Sequence, residues 1–309
     1  MTGREPPPGG ALTALVTPFT AGGTGIDERA LGDLVAAQVA AGTEGLVVGG
    51  PTGEGPTLTE AERDRVVRVV VAAAGGRIPV IAATGSHCTR TAIDRTRRAE
   101  IAGADATLAV TPYYNRPTQE GLYRHCAAIA AACGRPLLLH ADPARTGIEL
   151  RPETLARLAA LPRIAGLVDA AGDLASSSAV ARAAGPGFPV LSGNDASAVA
   201  HGAMGGRGCV SVVANLVPGP CAALQRAIRA GDLARARAIQ AGLAPLIAAL
   251  SLETDPGPVK LALAHLRPGV APDLRLPLVR PRPETEAAVA AALDAFRPEE
   301  AARPVPRGR

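Results

Sequence analysis

Lysine is almost missing from this chain: Lys260 is the only one in 309 residues, and arginine supplies the rest of the 32 basic side chains. Tryptophan is absent and there are three tyrosines and three phenylalanines, which removes the aromatic platforms on which single-stranded nucleic acids stack. The formal charge of +4 comes from arginines interleaved with Asp and Glu, so no basic block suggests a nucleic-acid footprint. Cys88, Cys126, Cys133, Cys209 and Cys221 form an odd set without CxxC spacing and with no leader segment before them, which points to a reducing cytoplasm. The longest apolar stretches, such as residues 66–74, are too short or too interrupted by Arg to span a bilayer. HxH, HExxH, GxSxG, Walker and GxGxxG patterns are all missing. Metal, acyl-enzyme and nucleotide chemistry therefore have no support, and no cofactor is expected.

What the chain has is small aliphatic side chains. Hydrophobic residues make up 47% of the sequence, so a core must be filled by Ala, Val, Leu and Ile, which suits an α/β layer fold. Eight short β-favouring runs recur at 14–19, 45–50, 78–84, 106–111, 136–141, 164–169, 188–193 and 209–214. Each is followed by a longer stretch with helical spacing, such as 27–41 and 59–74, the latter opened by the capping residue Thr59. Eight parallel βα units predict a closed (β/α)8 TIM barrel. Further helical segments near 218–230, 233–250, 258–266 and 283–296 exceed one closing helix, and the surplus predicts a small C-terminal helical appendage, a natural surface for assembly. The expected division is a loose tail over 1–10, the barrel over 11–217, the helical region over 218–296 and a second tail over 297–309.

In such barrels chemistry gathers where strands end. The turn from Gly49 to Gly55 could present backbone N–H groups to a carboxylate or phosphate, with the Thr52 hydroxyl as a further donor, although glycine turns after strands are equally often structural. Tyr113 and Tyr114 stand together beyond the fourth run, where a phenol can relay a proton or simply plug a loop. His140 ends the fifth run near Asp142 and Arg145; it reads either as an acid–base group oriented by the carboxylate or as a hydrogen-bonding histidine. Arg145 can grip a carboxylate if it points into the mouth, and is a surface arginine if it does not.

Gly50-Pro51-Thr52-Gly53-Glu54, Thr111-Pro112-Tyr113-Tyr114-Asn115-Arg116-Pro117, Arg145-Thr146-Gly147 and Leu191-Ser192-Gly193-Asn194-Asp195 together resemble, in order and spacing, the dihydrodipicolinate synthase and N-acetylneuraminate lyase family, on its synthase branch. The resemblance spans about residues 11–295. It implies lyase chemistry in which a lysine near the end of the sixth strand binds pyruvate as an imine. The aligned position here is Val168. The family's acid–base tyrosine aligns with His140 and its relay threonine with Pro51, which has neither hydroxyl nor N–H. Tyr114, which the family lends across a subunit interface, is retained, as are Thr52, Gly53, Glu54, Arg145, Gly193 and Asn194 for binding. Lys260 aligns with a helix outside the pocket, where it should be structural or solvent-facing.

The resemblance thus implies a pseudoenzyme or regulatory protein that holds a small carboxylate such as a 2-oxo or hydroxy acid, assembled as a tetramer or dimer. Two alternatives stand beside it: a lyase or hydratase of altered, non-imine mechanism using His140 and Tyr114, and a structural assembly partner. The family's lysine-feedback site includes Tyr113, but Gly55, Pro56 and His87 depart from it, so that regulation is not expected.

Overall fold

A computed structural model describes residues 9–297. Eight parallel strands close into a barrel in sequence order: β1 (Gly10–Ala14), β2 (Gly45–Val48), β3 (Val80–Ala83), β4 (Ala106–Val110), β5 (Leu137–Ala141), β6 (Ile164–Asp169), β7 (Val190–Ser192) and β8 (Gly208–Ser211). β1 closes on β8 through the Leu12–Val210 and Thr13–Ser211 pairs. Around the sheet run α1 (Glu28–Ala40), α2 (Glu60–Ala74), α3 (Thr89–Ile101), α4 (Gln119–Ala132), the short α5 (Pro143–Thr146), α6 (Pro152–Ala159), α7 (Leu174–Ala184), α8 (Ala198–Ala203) and α9 (Pro218–Arg229). The chain then adds α10 (Leu233–Leu250), α11 (Gly257–Leu266) and α12 (Pro283–Ala295).

Local chemistry explains the helix starts. Asp27 accepts from the Ala30 amide at 2.9 Å to open α1. Thr59 and Glu62 close a reciprocal capping box on α2, in which the Glu62 carboxylate accepts from the Thr59 amide at 2.9 Å. Between sheet and helices the core is filled by Leu, Val, Ile and Ala, with Phe19 as its largest fully buried side chain.

Two boundaries differ from the sequence expectation. The first strand is Gly10–Ala14 and not residues 14–19. Leu15, Val16 and Phe19 look strand-like because they are fully buried, but they belong to the connection that follows β1 and pack beneath α1 and α2. Gly10 is therefore part of the barrel and not of a tail; of the expected tails, residues 1–8 and 298–309 lie outside the described residues. At the other end α9 packs on β1 and β8, and α10 to α12 follow it. By length and composition α10 could cross a membrane, but its Ala236, Ile239, Leu243 and Leu246 are buried in packing against α9, α8 and α12.

The barrel interior is layered, each layer drawing four side chains from alternate strands. Leu12, Ile81, Leu138 and Leu191, from the odd strands, fill one layer completely. Val47, Leu108, Val168 and Val210, from the even strands, form the next layer toward the C-terminal mouth. Above them the side chains become small, and the barrel opens.

Candidate binding site at the barrel mouth

A cavity of about 540 Å³ occupies the mouth. Its floor is the layer of Val47, Leu108, Val168 and Val210. One step up, the odd strands contribute Ala14, Ala83, His140 and Gly193; one step further, the even strands contribute Gly49, Val110, Ala170 and Val212. The cavity exists because most of these positions carry no more than a methyl group. Gly193 cannot be enlarged, since a Cβ there would lie 2.8 Å from that of Ala170.

Val168, at the position the resemblance gives to the imine-forming lysine, is 1% exposed and packed within the floor. No lysine lines the cavity. Lys260 is fully buried behind it on α11, where Nζ donates to Glu54 Oε1 at 2.7 Å and to the Asp273 carbonyl at 2.7 Å. The ammonium also sits 4.0 Å from the centroid of the Phe19 ring. Burial pushes the Lys260 amine down and the Glu54 carboxylate pushes it back up, with a net lowering. Of the two expectations for Lys260, the structural one fits this burial and the solvent-facing one does not.

The loop after β2 is wound inward. Glu54 takes a left-handed backbone, φ 50°, and its N–H donates to the Pro51 carbonyl at 2.9 Å, while the Gly55 N–H donates to Gly50 at 3.0 Å. Gly55 must be glycine, because a Cβ would lie 1.9 Å from the Gly49 carbonyl oxygen. The Glu54 backbone, expected to face an anion, is thus engaged within the loop, and its side chain ties the loop to Lys260 and to the Arg275 amide at 3.0 Å. The Thr52 hydroxyl lines the cavity but donates to Asp255 Oδ2 at 2.7 Å. Gly53 and Pro51 line it as well.

Opposite this loop, Arg145 points into the mouth between two carboxylates: Nε lies 3.5 Å from Asp142 and Nη2 lies 3.9 Å from Asp255. Asp142 also caps α5 by accepting from the Arg145 amide at 3.1 Å. Its hydrogen bonds serve Arg145, so Asp142 acts on His140 through charge and does not orient it as expected. Burial of the His140 imidazole lowers its pKa; Asp142 and Asp169 oppose that effect and Arg145 adds to it. The net lowering favours the neutral form of His140, which lines the cavity wall.

The paired tyrosines part company. Tyr113 lines the cavity, edge-on to His87 with centroids 5.2 Å apart. Tyr114 has φ 69° and is 91% exposed, turned away from its own chain's cavity. Asn194 does not line the cavity; its Oδ1 caps its own turn by accepting from the Ala196 amide at 2.9 Å.

Two cavity residues carry no local sequence signal. Asp255 follows α10 and reaches the mouth from the C-terminal region; burial lifts its carboxyl to about 6 against the opposing Thr52 hydrogen bond and Arg145 charge. Arg63, in the first turns of α2, donates to the Gly55 carbonyl, and burial beside Arg95 brings its guanidinium down to about 10.

The model of a family described as the dihydrodipicolinate synthetase family matches residues 7–296. The 4-hydroxy-tetrahydrodipicolinate synthase of Rhodospirillum centenum is 50% identical over 284 residues, which are 92% of this chain and 97% of that protein. That of Methylobacterium radiotolerans is 49% identical over 270 residues, 87% of this chain and 89% of the relative. Among solved structures, the 4-hydroxy-tetrahydrodipicolinate synthase of Methylacidiphilum fumariolicum superposes with a TM-score of 0.91 at 38% identity, covering 95% of this chain and 97% of that one. Dihydrodipicolinate synthase from Aquifex aeolicus superposes at 0.90 with 37% identity, covering 93% and 98%.

Proposed function

The chain belongs to the dihydrodipicolinate synthetase family, and from that premise we propose that it is a member that binds a small 2-oxo or hydroxy acid without forming an imine, and so serves as a sensor or regulatory subunit. One observation carries this reading: Val168 fills the floor, and the only amine on any side chain is locked into a buried ion pair with Glu54. An imine forms when a free amine adds to a ketone and water leaves, so the nitrogen needs an available lone pair facing the carbonyl. Lys260 meets neither condition while it donates to Glu54 and Asp273. Acid–base groups alone supply about 10²- to 10⁴-fold, well short of what an electron sink contributes to carbon–carbon chemistry.

Binding without chemistry is supported by the cavity itself. Arg145 at the rim can grip a carboxylate, with Thr52 and the Gly53 backbone beside it, and the neutral His140 can hydrogen-bond the ligand's oxygen. The 91% exposure of Tyr114 favours assembly into a homo-oligomer, in which that side chain would be covered by another copy. The synthase name borne by relatives at 50% identity favours the competing reading, an active synthase.

Thermal unfolding with pyruvate and related acids, run beside an assay of pyruvate consumption in the presence of an aldehyde acceptor, separates the two. Stabilisation of about 2.7 kcal/mol at ligand 100 times Kd, with no turnover, is the result this reading expects. A flat response across the panel, or turnover, contradicts it. A second reading, hydration or dehydration without an imine, rests on the neutral His140 in the cavity wall; it requires a turnover that the H140A variant loses.

A further inference from the structure

We infer that the acid held in this cavity carries an aliphatic chain longer than that of pyruvate, with its carboxylate at the rim and its hydrocarbon in the barrel throat. This rests on the acid-binding reading above and names the class of acid.

In the two tiers of side chains above the floor, which hold eight positions, only His140 has a polar atom. The floor itself is Val47, Leu108, Val168 and Val210, all buried. The strand backbone here is paired along the barrel ladder at Val110 with His140 and at His140 with Val168, while Gly49, Ala170, Gly193 and Val212 lie just beyond the strand ends. The throat therefore offers a ligand apolar contact on nearly every side and one imidazole. The charged and hydroxyl groups of the lining, among them Thr52, Arg63, Asp142, Arg145, Thr146 and Asp255, lie outside these tiers. At about 540 Å³ the cavity lies within the roughly 300–1,000 Å³ range of pockets that bury drug-sized ligands, far beyond what a three-carbon acid fills.

A three-carbon acid anchored at Arg145 would leave the floor uncovered. Each further methylene that reaches the floor leaves water for a preformed apolar surface, which strengthens binding by about fourfold, the equivalent of ~0.8 kcal/mol. The closely set Ala14, Ala83 and Gly193 leave space at the tier where such a chain would lie. Had this tier carried Leu or Ile, the barrel would be packed through to the rim, as it is one layer below the floor.

Calorimetric titration with pyruvate, 2-oxobutanoate, 2-oxopentanoate and 4-methyl-2-oxopentanoate tests this directly. Affinity should rise by about fourfold per added carbon. In the A83L variant, whose side chain projects into the throat, the gain in affinity per added carbon should shrink relative to wild type. Affinity that is flat or falling with chain length overturns the inference and leaves the acid-binding reading intact. Absence of binding by every acid overturns both. If A83L does not fold, the wild-type series alone decides the matter.

Discussion

Two places in this molecule treat an amine in opposite ways. At the end of β6 the barrel holds Val168 among Val47, Leu108 and Val210, a layer without a single hydrogen-bond acceptor on its side chains. On α11 it holds Lys260, equally buried, with a carboxylate and a carbonyl each 2.7 Å from Nζ and an aromatic face beside it. Burial alone does not decide whether a charge is tolerated. The partners supplied around it do, because a desolvated ion persists only where its hydrogen bonds and countercharge are rebuilt. The floor supplies none; the Glu54–Lys260 ion pair and the Asp273 carbonyl supply them for the buried ammonium.

The largest effect is expected from removing one side of the Glu54–Lys260 ion pair. Lys260→Met leaves the Glu54 carboxylate buried without its countercharge, and urea unfolding should show a loss of about 3–5 kcal/mol. Replacing both residues, Lys260→Met with Glu54→Leu, should recover much of it. A single substitution that costs less than ~1 kcal/mol would show that the pair is not desolvated as described.

The next effect is set by pH. The Asp255 carboxyl is raised from 3.8 to about 6 by burial. A carboxyl whose folded pKa lies above its unfolded value holds its proton more tightly in the folded state. Its contribution is then complete below about pH 4 and is lost as the pH rises through 6, at most about 3 kcal/mol at ~1.4 kcal/mol per unit. Asp255→Asn should flatten the profile of stability against pH over that window and raise stability at pH 8. An unchanged profile would mean that Arg145 neutralises Asp255 more fully than its 3.9 Å separation suggests.

The smallest effect belongs to the floor. Val168→Ala removes two methyl groups from a position that already faces a cavity, and should cost about 1–2 kcal/mol in unfolding experiments. Because no charge is left unpaired, this loss must fall below that of Lys260→Met. The reverse order would place the more important interaction at the floor.

The strands and helices were legible because each is a local pattern: apolar runs for the sheet, and a Thr59–Glu62 capping box or an Asp27 cap for the helix starts. The first strand was misplaced where that pattern fails to discriminate. Leu15, Val16 and Phe19 are as buried as any strand residue, and only the pairing of Gly10–Ala14 with β8 and β2 settles the register. The site was legible where it follows a strand end, as with His140, Arg145 and Val168. It was not where the contact is long-range. Asp255 meets Thr52 across 203 residues, and Lys260 meets Glu54 across 206, so nothing in either neighbourhood announces its partner. Glu54 and Asn194 illustrate the converse: both lie in recognisable motifs, yet their polar groups are engaged within the protein.

The account depends most on the absence of an amine competent to form an imine, and borohydride trapping with pyruvate, read by intact mass and peptide mapping, tests that most directly. The account predicts no pyruvyl adduct on the peptide that carries Lys260 after reduction, because Lys260 remains paired with Glu54. A stoichiometric pyruvyl adduct mapping to Lys260 would contradict it, and would make this chain an imine-forming enzyme whose amine leaves its ion pair to react.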